Sequence, residues 1–401
     1  TVFDVDARSR VLGARDGTVI DARASQPLAT NGGAIFGGYR VSRGSFPLSE
    51  DAAFTNQLGE VAVGGLFSLL RDRLTDERRT RRALALTDVE IARFEAQAVS
   101  IGVQRRAIDA YQAWVAAGLR LRAFRELLDL AQNRRGAIVR LVQLGARPEI
   151  LLTENDQNLV RRRALVVRAE QDLAAAANTL SLFLRDAAGR PVTVGADRLP
   201  ASVDALTGNV LPRRPGEVFR PDLAALLERI EQSVARLALA ENDLRPRLDV
   251  RGEASKDLGN EGLGGPTRTP LVGILGVRFS VPLQNRVAKG RVAEARAEIN
   301  ALETRTRFLR EQIAVEVEGV VINIQGSERV ASNAAEEQGL ASRLAAAERR
   351  RFELGSSDFF LVNQREETAT DAAVRLGDAR ARAAAARADL DAVTGDLATL
   401  G

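Results

Sequence analysis

The chain has 401 residues, with 57 Lys plus Arg, 53 Asp plus Glu, and no His, Cys or Met. These absences exclude disulfide bonds, Cys- or His-ligated metal centres and Ser-His-Asp catalysis, which leaves a carboxylate-only enzyme as the main catalytic class. Interspersed acidic and basic residues are typical of solvated helix faces, and aromatic residues are few, so no nucleic-acid binding is expected. We also expect no metal site and no cofactor.

The first 70 residues are predicted to form strands. Two strand-like segments, 2–9 and 18–25, come first. Strands at about 34–44 and 60–70 follow, and both of these have apolar residues at every second position. The apolar faces of the latter two consist of Ile35, Gly37, Tyr39 and Val41, and of Val61, Val63, Gly65, Phe67 and Leu69. This alternation predicts strands with one face buried in an apolar environment.

Four helices are predicted in two hairpins. The long stretches 72–144 and 287–354 are nearly free of Gly and Pro, and each corresponds to a helix on the order of 100 Å long. Each ends at a Leu-Gly pair, where glycine favours a left-handed cap, and each is followed by a returning helix, at 149–184 and 358–397. Ala-rich runs in the returning helices favour close antiparallel packing.

Between the hairpins lie a linker at 187–217, a helix at 218–245, and two further alternating strands at 247–255 and 271–283. Strands of about ten residues with one apolar and one charged face are typical of outer-membrane β-barrels. An ordinary sheet packed on a helical domain is the alternative interpretation of the same pattern.

The order strand, strand, long helix, Leu-Gly, helix occurs twice, so we predict an internal duplication. The predicted regions are the strand-rich segment 1–70, the first hairpin 71–186, the linker 187–217, the helix 218–245, the strand pair 246–284 and the second hairpin 285–398. Because the chain begins with Thr1 instead of Met, we expect that an N-terminal segment has been removed.

Several segments resemble the TolC-type outer-membrane efflux proteins. The most specific of them are 351–364 (RFELGSSDFFLVNQ), 279–283 (FSVPL), 220–223 (RPDL) and 59–73, and the resemblance as a whole covers nearly the whole chain. The resemblance implies an α+β membrane protein, a homotrimer in which each chain gives four strands to one shared transmembrane β-barrel and its helices to a coiled-coil tunnel.

The resemblance also implies a function and partners. The expected protein is a passive outer-membrane channel of a tripartite efflux or type I secretion system in a Gram-negative bacterium, with its helices in the periplasm. Its partners would be the lipid bilayer, a periplasmic adaptor protein and an inner-membrane transporter, and it would not be an enzyme. A soluble coiled-coil scaffold or interaction protein is the alternative.

In this family the hairpin tips form the periplasmic entrance and contact the adaptor. The corresponding residues here are Leu144, Gly145 and Pro148 in the first hairpin and Leu354, Gly355 and Asp358 in the second. Where some members place acidic rings, this sequence has Leu361 and Gln364. The nearby candidates for pore-lining acidic residues are Glu154, Asp156, Glu366 and Glu367, and a solvated outer helix face is the alternative for each.

Overall fold

The computed structural model describes residues 1–11, 16–44, 54–200, 219–260 and 271–395. Most of the predicted linker 187–217 and the last residues of the final predicted helix lie outside this part. The chain divides into two compact units. Unit 1 comprises Thr1–Arg93 and Ala224–Arg307, and unit 2 comprises Phe94–Leu223 and Phe308–Gly401.

The predicted strands and helices are all present among the described residues. The strands are β1 (Val2–Arg10), β2 (Gly17–Pro27), β3 (Ala34–Gly44), β4 (Glu60–Ser68), β5 (Arg247–Asp257) and β6 (Val272–Ser280). The helices are α1 (Glu77–Gln143), α2 (Ile150–Ser181), α3 (Pro221–Asn242), α4 (Arg286–Glu353) and α5 (Phe359–Thr394).

Helix α1 begins later than the predicted residue 72. Asp72 has a φ of 67°, which a right-handed helix cannot contain, and its backbone is held by Asn242, whose side-chain oxygen accepts from the Asp72 N–H at 3.1 Å. The helix starts after Asp76, whose carboxylate accepts a hydrogen bond from the Arg79 N–H at 2.9 Å. Asp76 is therefore an N-cap, and it fixes the first turn of α1.

All six described strands belong to one antiparallel sheet in the order β1-β2-β3-β4-β5-β6. The sheet therefore has two strands, β1 and β2, beyond the four that the resemblance implies for the barrel. The two earliest strands, β1 and β2, continue the sheet because β2 pairs along the full length of β3, from Gly17 opposite Gly44 to Pro27 opposite Ala34. Each antiparallel pairing keeps the alternation of side chains in phase with that of the next strand.

The core of unit 2 lies between helices. On α1 and α2 it contains Trp114, Val115, Val166 and Ala169, all almost inaccessible to solvent. Half of the buried residues of helix α5 are alanines, and these are Ala372, Ala379, Ala381, Ala383, Ala386 and Ala388. Small buried residues let helix backbones approach closely, in agreement with the packing predicted for the returning helices.

Candidate functional sites: a two-faced sheet and two hairpin tips

The sheet of unit 1 has one continuous apolar face. Because the pairings are in phase, the apolar residues of neighbouring strands lie opposite one another, as in Val5–Ala22 and Val250–Val277. The large members of this face are well exposed in the single chain, and they include Phe3, Ile20, Ile35, Val61, Val63, Phe67, Leu275, Val277 and Phe279. An exposed apolar surface of this extent marks a contact with lipid or with another protein.

The opposite face is charged and internally paired. Arg40 on β3 donates to Asp21 on β2 at 2.8 Å and lies 3.7 Å from Glu60 on β4. On β5, Arg247 and Asp249 form an ion pair at 2.7 Å. These charges sit on strands that neighbour each other, so the face is hydrophilic across several strands.

One aromatic ring interrupts this charged face. Phe36 lies between two guanidinium groups, with Arg23 at 5.2 Å and Arg251 at 5.1 Å from its ring centroid. The ring covers Gly64, where a Cβ would come within 2.6 Å of it. The ring is thus accommodated by cation–π contacts and by the absence of a side chain beneath it.

The two hairpin tips have the same backbone hydrogen bonds. Gly145 donates to the Val142 carbonyl at 2.9 Å, and Gly355 donates to the Phe352 carbonyl at 3.0 Å. The residue after each glycine donates to the carbonyl one residue before the glycine's own acceptor, as in a Schellman cap, and the two glycines have φ values of 72° and 75°. Both ends are therefore shaped by a glycine in the left-handed region.

Each tip exposes a leucine. Leu144 is 80% exposed and Leu354 is 83% exposed. Pro148 precedes α2, and Asp358 caps α5 by accepting from the Leu361 N–H at 2.6 Å. Asp358 thus acts in helix capping, and the two leucines offer the large apolar side chains of the predicted tip set.

The four acidic candidates occupy different environments. Glu154 is exposed. Asp156 pairs with Arg135 at 2.7 Å, and the hydrogen bonds from that guanidinium lower the pKa of Asp156. Glu367 pairs with Arg161 at 2.8 Å and is partly exposed. Glu366 has no exposed side-chain surface, so its carboxylate does not face solvent in this conformation.

Glu366 is the centre of a buried charged cluster in unit 2. Its carboxylate forms an ion pair with Arg134 on α1, lies 3.4 Å from Arg162 on α2 and 3.4 Å from Arg349 on α4. The Asn363 side-chain oxygen accepts from Arg134 at 2.9 Å and from Arg162 at 3.1 Å. One carboxylate and one amide on α5 therefore join that helix to three others.

The cluster contains more arginine than carboxylate. Burial lowers the pKa of both Arg134 and Arg162, and the negative charge of Glu366 opposes that shift. A guanidinium stays protonated in a protein, so the two buried groups remain cations. Arg162 also donates to the Leu127 carbonyl at 2.9 Å, which satisfies one more of its N–H groups.

The sequence interpretation did not single out Arg134, Arg162 or Arg349. A signal was available for Arg162, because it occupies the helical stripe of buried α2 residues formed by Leu159, Val166, Ala169 and Leu173. Its position in a run of three arginines hid that spacing. For Arg349, with more than a third of its side chain exposed, the sequence carries no comparable signal.

None of the described helices is apolar over a stretch long enough to span a bilayer. No family model and no curated protein matches the chain. Solved structures do match its fold, and they are outer-membrane or membrane proteins of Gram-negative bacteria. The class of fold is therefore that of the outer-membrane channels, and the fold-level resemblance to TolC-type proteins is confirmed.

Three of these structures show the extent of the fold similarity and the low sequence identity. The MtrE outer-membrane channel of Neisseria gonorrhoeae, in its open state, has a TM-score of 0.67 at 15% identity, and the match covers 98% of this chain and 80% of MtrE. A membrane protein from Pseudomonas aeruginosa has a TM-score of 0.67 at 17% identity, covering 98% and 83%. The outer-membrane protein VceC of Vibrio cholerae has a TM-score of 0.61 at 14% identity, covering 95% and 87%.

Proposed function

We infer that this chain is the outer-membrane channel of a tripartite efflux or secretion system. The observation that carries the proposal is the sheet with one continuous apolar face and one charged face. A nine-residue strand spans about 30 Å, which is enough to cross the apolar band of an outer membrane when tilted. With the sheet in the membrane, the long helices α1 and α4 would extend into the periplasm.

As a channel the protein is a passive conduit that performs no chemistry. Closure of the sheet into a barrel requires further copies of the chain, and we propose a homotrimer. The charged face would line the water-filled lumen, and the apolar face would contact lipid. The proposed internal duplication rests on the repeated order of elements, and the same cap at both tips agrees with that order.

The hairpin tips are the proposed contacts for a periplasmic adaptor, which would join the channel to an inner-membrane transporter. Leu144 and Leu354 supply exposed apolar surface at the tips. Glu154, Asp156 and Glu367 remain candidates for the tunnel lining. Three copies of any one of them facing the axis would form a negative ring that favours cations.

Planar-bilayer conductance of the purified protein tests the channel. Val63 on the apolar face and Ala62 on the charged face are neighbours on β4, so they form a matched pair. Val63→Arg should impair insertion, since Arg on a lipid-facing strand costs about 2–4 kcal/mol at the bilayer midplane. Ala62→Arg should still insert and conduct.

Detergent dependence separates this proposal from the coiled-coil scaffold. A channel should require detergent and yield discrete conductance steps. A detergent-free, monodisperse protein with no conductance, in which Val63→Arg and Ala62→Arg behave alike, would contradict the proposal.

A further inference from the structure

The six-stranded sheet has two open edges within the described part of the chain. β1 pairs only with β2, and β6 pairs only with β5. Every residue of β1 and all but one residue of β6 are exposed in the single chain. In a bilayer an open edge leaves backbone N–H and C=O groups without partners, so a membrane-spanning sheet must close.

We propose that β1 of one copy pairs with β6 of the next, so that each chain gives six strands to the barrel and the trimer forms an eighteen-stranded barrel. This inference rests on the proposed channel function. The partner at each edge is a second copy of this chain, and β1 and β2 are wall strands of the barrel.

The side-chain pattern of β1 and β2 supports their place in the wall. Phe3 and Val5 on β1 lie opposite Ala24 and Ala22 on β2, and they extend the apolar face. On the other face Asp4 lies opposite Arg23. A hairpin that lay outside the barrel would have no reason to continue both faces in phase with β3.

Strand direction also permits the closure. Successive strands alternate in direction, and the number per chain is even, so β6 of one copy and β1 of the next run antiparallel. Both edge strands have nine residues. Their full overlap sets Val2 opposite the next copy's Ser280, and this register places Phe3, Val5 and Ala7 on the same face as that copy's Phe279, Val277 and Leu275.

Charge complementarity favours the same register. It sets Asp4 opposite the neighbouring copy's Arg278 on the charged face, and Val5 opposite the neighbouring copy's Val277 on the apolar face. Opposite charges on facing residues of an antiparallel pair are stabilising, whereas a shift by one residue would expose apolar side chains in the lumen.

The resulting barrel has ordinary geometry. The pairings lead from Val2 through Ser25, Phe36, Gly64, Glu253 and Ile274. In the proposed register Ile274 faces Arg8 of the next copy, so one chain shifts the pairing by six residues. Over six strands that shift corresponds to a tilt of roughly 35°, within the range of known barrels.

Cysteine cross-linking tests the proposal, because the chain contains no cysteine of its own. Two double variants place facing pairs in adjacent rows of the junction, Val5→Cys with Val277→Cys and Asp6→Cys with Gly276→Cys. Facing residues of antiparallel strands lie within the Cα separation that a disulfide requires. Mild oxidation should give covalent dimers and trimers on a non-reducing gel.

The matched control tests β3 instead of β1 as the neighbour of β6 in the next copy. In a barrel of four strands per chain, β3 would be the strand at that junction. Its variants are Gly37→Cys with Val277→Cys and Gly38→Cys with Gly276→Cys. The proposal predicts linkage from the β1 pairs and none from the β3 pairs. Linkage from the β3 pairs instead, or none from either set in a conducting trimer, would overturn it while the channel function stands.

A second measurement uses the unaltered protein. Hydrogen exchange of the trimer in lipid nanodiscs should protect the β1 amides as strongly as those of β3, since both edges of β1 are then paired. Rapid exchange along β1 in a conducting preparation would overturn the six-strand assignment. A preparation that neither inserts nor conducts would instead contradict the proposed function.

Discussion

The Arg162 guanidinium on α2 lies 3.4 Å from the Glu366 carboxylate on α5, and 1% and 0% of the two side chains are exposed. Charges are seldom found so deep inside a helical bundle without a partner, and here each supplies the partner of the other. The pair joins different hairpins, because α2 belongs to the first hairpin and α5 to the second. Arg134 on α1, also in the first hairpin, binds the same carboxylate. It is therefore a structural connection between the two predicted repeats.

Glu366→Gln should destabilise unit 2 strongly. The substitution removes the negative charge that pairs with Arg134, Arg162 and Arg349, and breaking a buried ion pair on one side costs about 3–5 kcal/mol. Thermal and urea denaturation followed by far-ultraviolet circular dichroism would measure the loss. Glu367→Gln is the control, since its partner Arg161 is exposed and an exposed pair contributes less than about 1 kcal/mol. Equal losses for both variants would contradict the prediction.

The tip glycines should not tolerate a side chain. Gly145→Ala and Gly355→Ala force alanine to φ values above 70°, which we expect to cost about 1–2 kcal/mol each. Gly136→Ala is the matched control. Gly136 lies inside α1 with open space at the Cβ position, so alanine should stabilise that helix by about 0.5–1 kcal/mol. Denaturation midpoints should therefore move in opposite directions, and a shift of the same sign for tip and helix variants would refute the argument.

Asp76 should make the start of α1 sensitive to acid. Burial alone would raise the pKa of Asp76, but the Arg79 N–H and guanidinium outweigh it and lower the pKa. The stabilisation is therefore complete above the unfolded pKa of about 3.9 and is lost as pH falls through the lower, folded pKa.

Two variants separate the cap from the charge at residue 76. Asp76→Asn should keep the N-cap hydrogen bond and reduce the loss of stability that occurs as the pH falls below the unfolded pKa of about 3.9. Asp76→Ala should lose about 1 kcal/mol at neutral pH as well. Denaturation midpoints across this range provide the measurement, and an unchanged acid dependence in Asp76→Asn would show that other carboxylates control it.

The exposed tip leucines should matter for docking more than for folding. Leu144→Asp and Leu354→Asp remove apolar surface and add charge at positions more than three-quarters exposed, so the denaturation midpoint should stay nearly unchanged. Binding of the proposed periplasmic adaptor should weaken by about tenfold or more, as for a central interface residue. Leu86→Asp, exposed on α1 away from the tip, is the control, and equal weakening by all three would contradict the prediction.

Local signals determined the secondary structure. The Leu-Gly pairs predicted the ends of α1 and α4 to within one residue, because glycine at a left-handed cap is a property of the chain at that point. Alternation likewise predicted the strands β3 to β6, since the two sides of a strand differ in burial at every second residue, and the segments of β1 and β2 were predicted as strand-like. The same pattern located the ends of the hairpins, whereas the role predicted for the tip residues came from the resemblance.

Tertiary structure decided what pairs with what. The residues of β1 and β2 carry no information on which strand they join. These strands became part of a six-stranded sheet because β1 pairs with β2 and β2 pairs with β3. Glu366 was predicted at a solvated or pore-lining surface, yet the packing of four helices buried it among arginines that lie far away in the sequence. Periodicity along one helix reports which face is inside, whereas the identity of the neighbour there depends on contacts between distant parts of the chain.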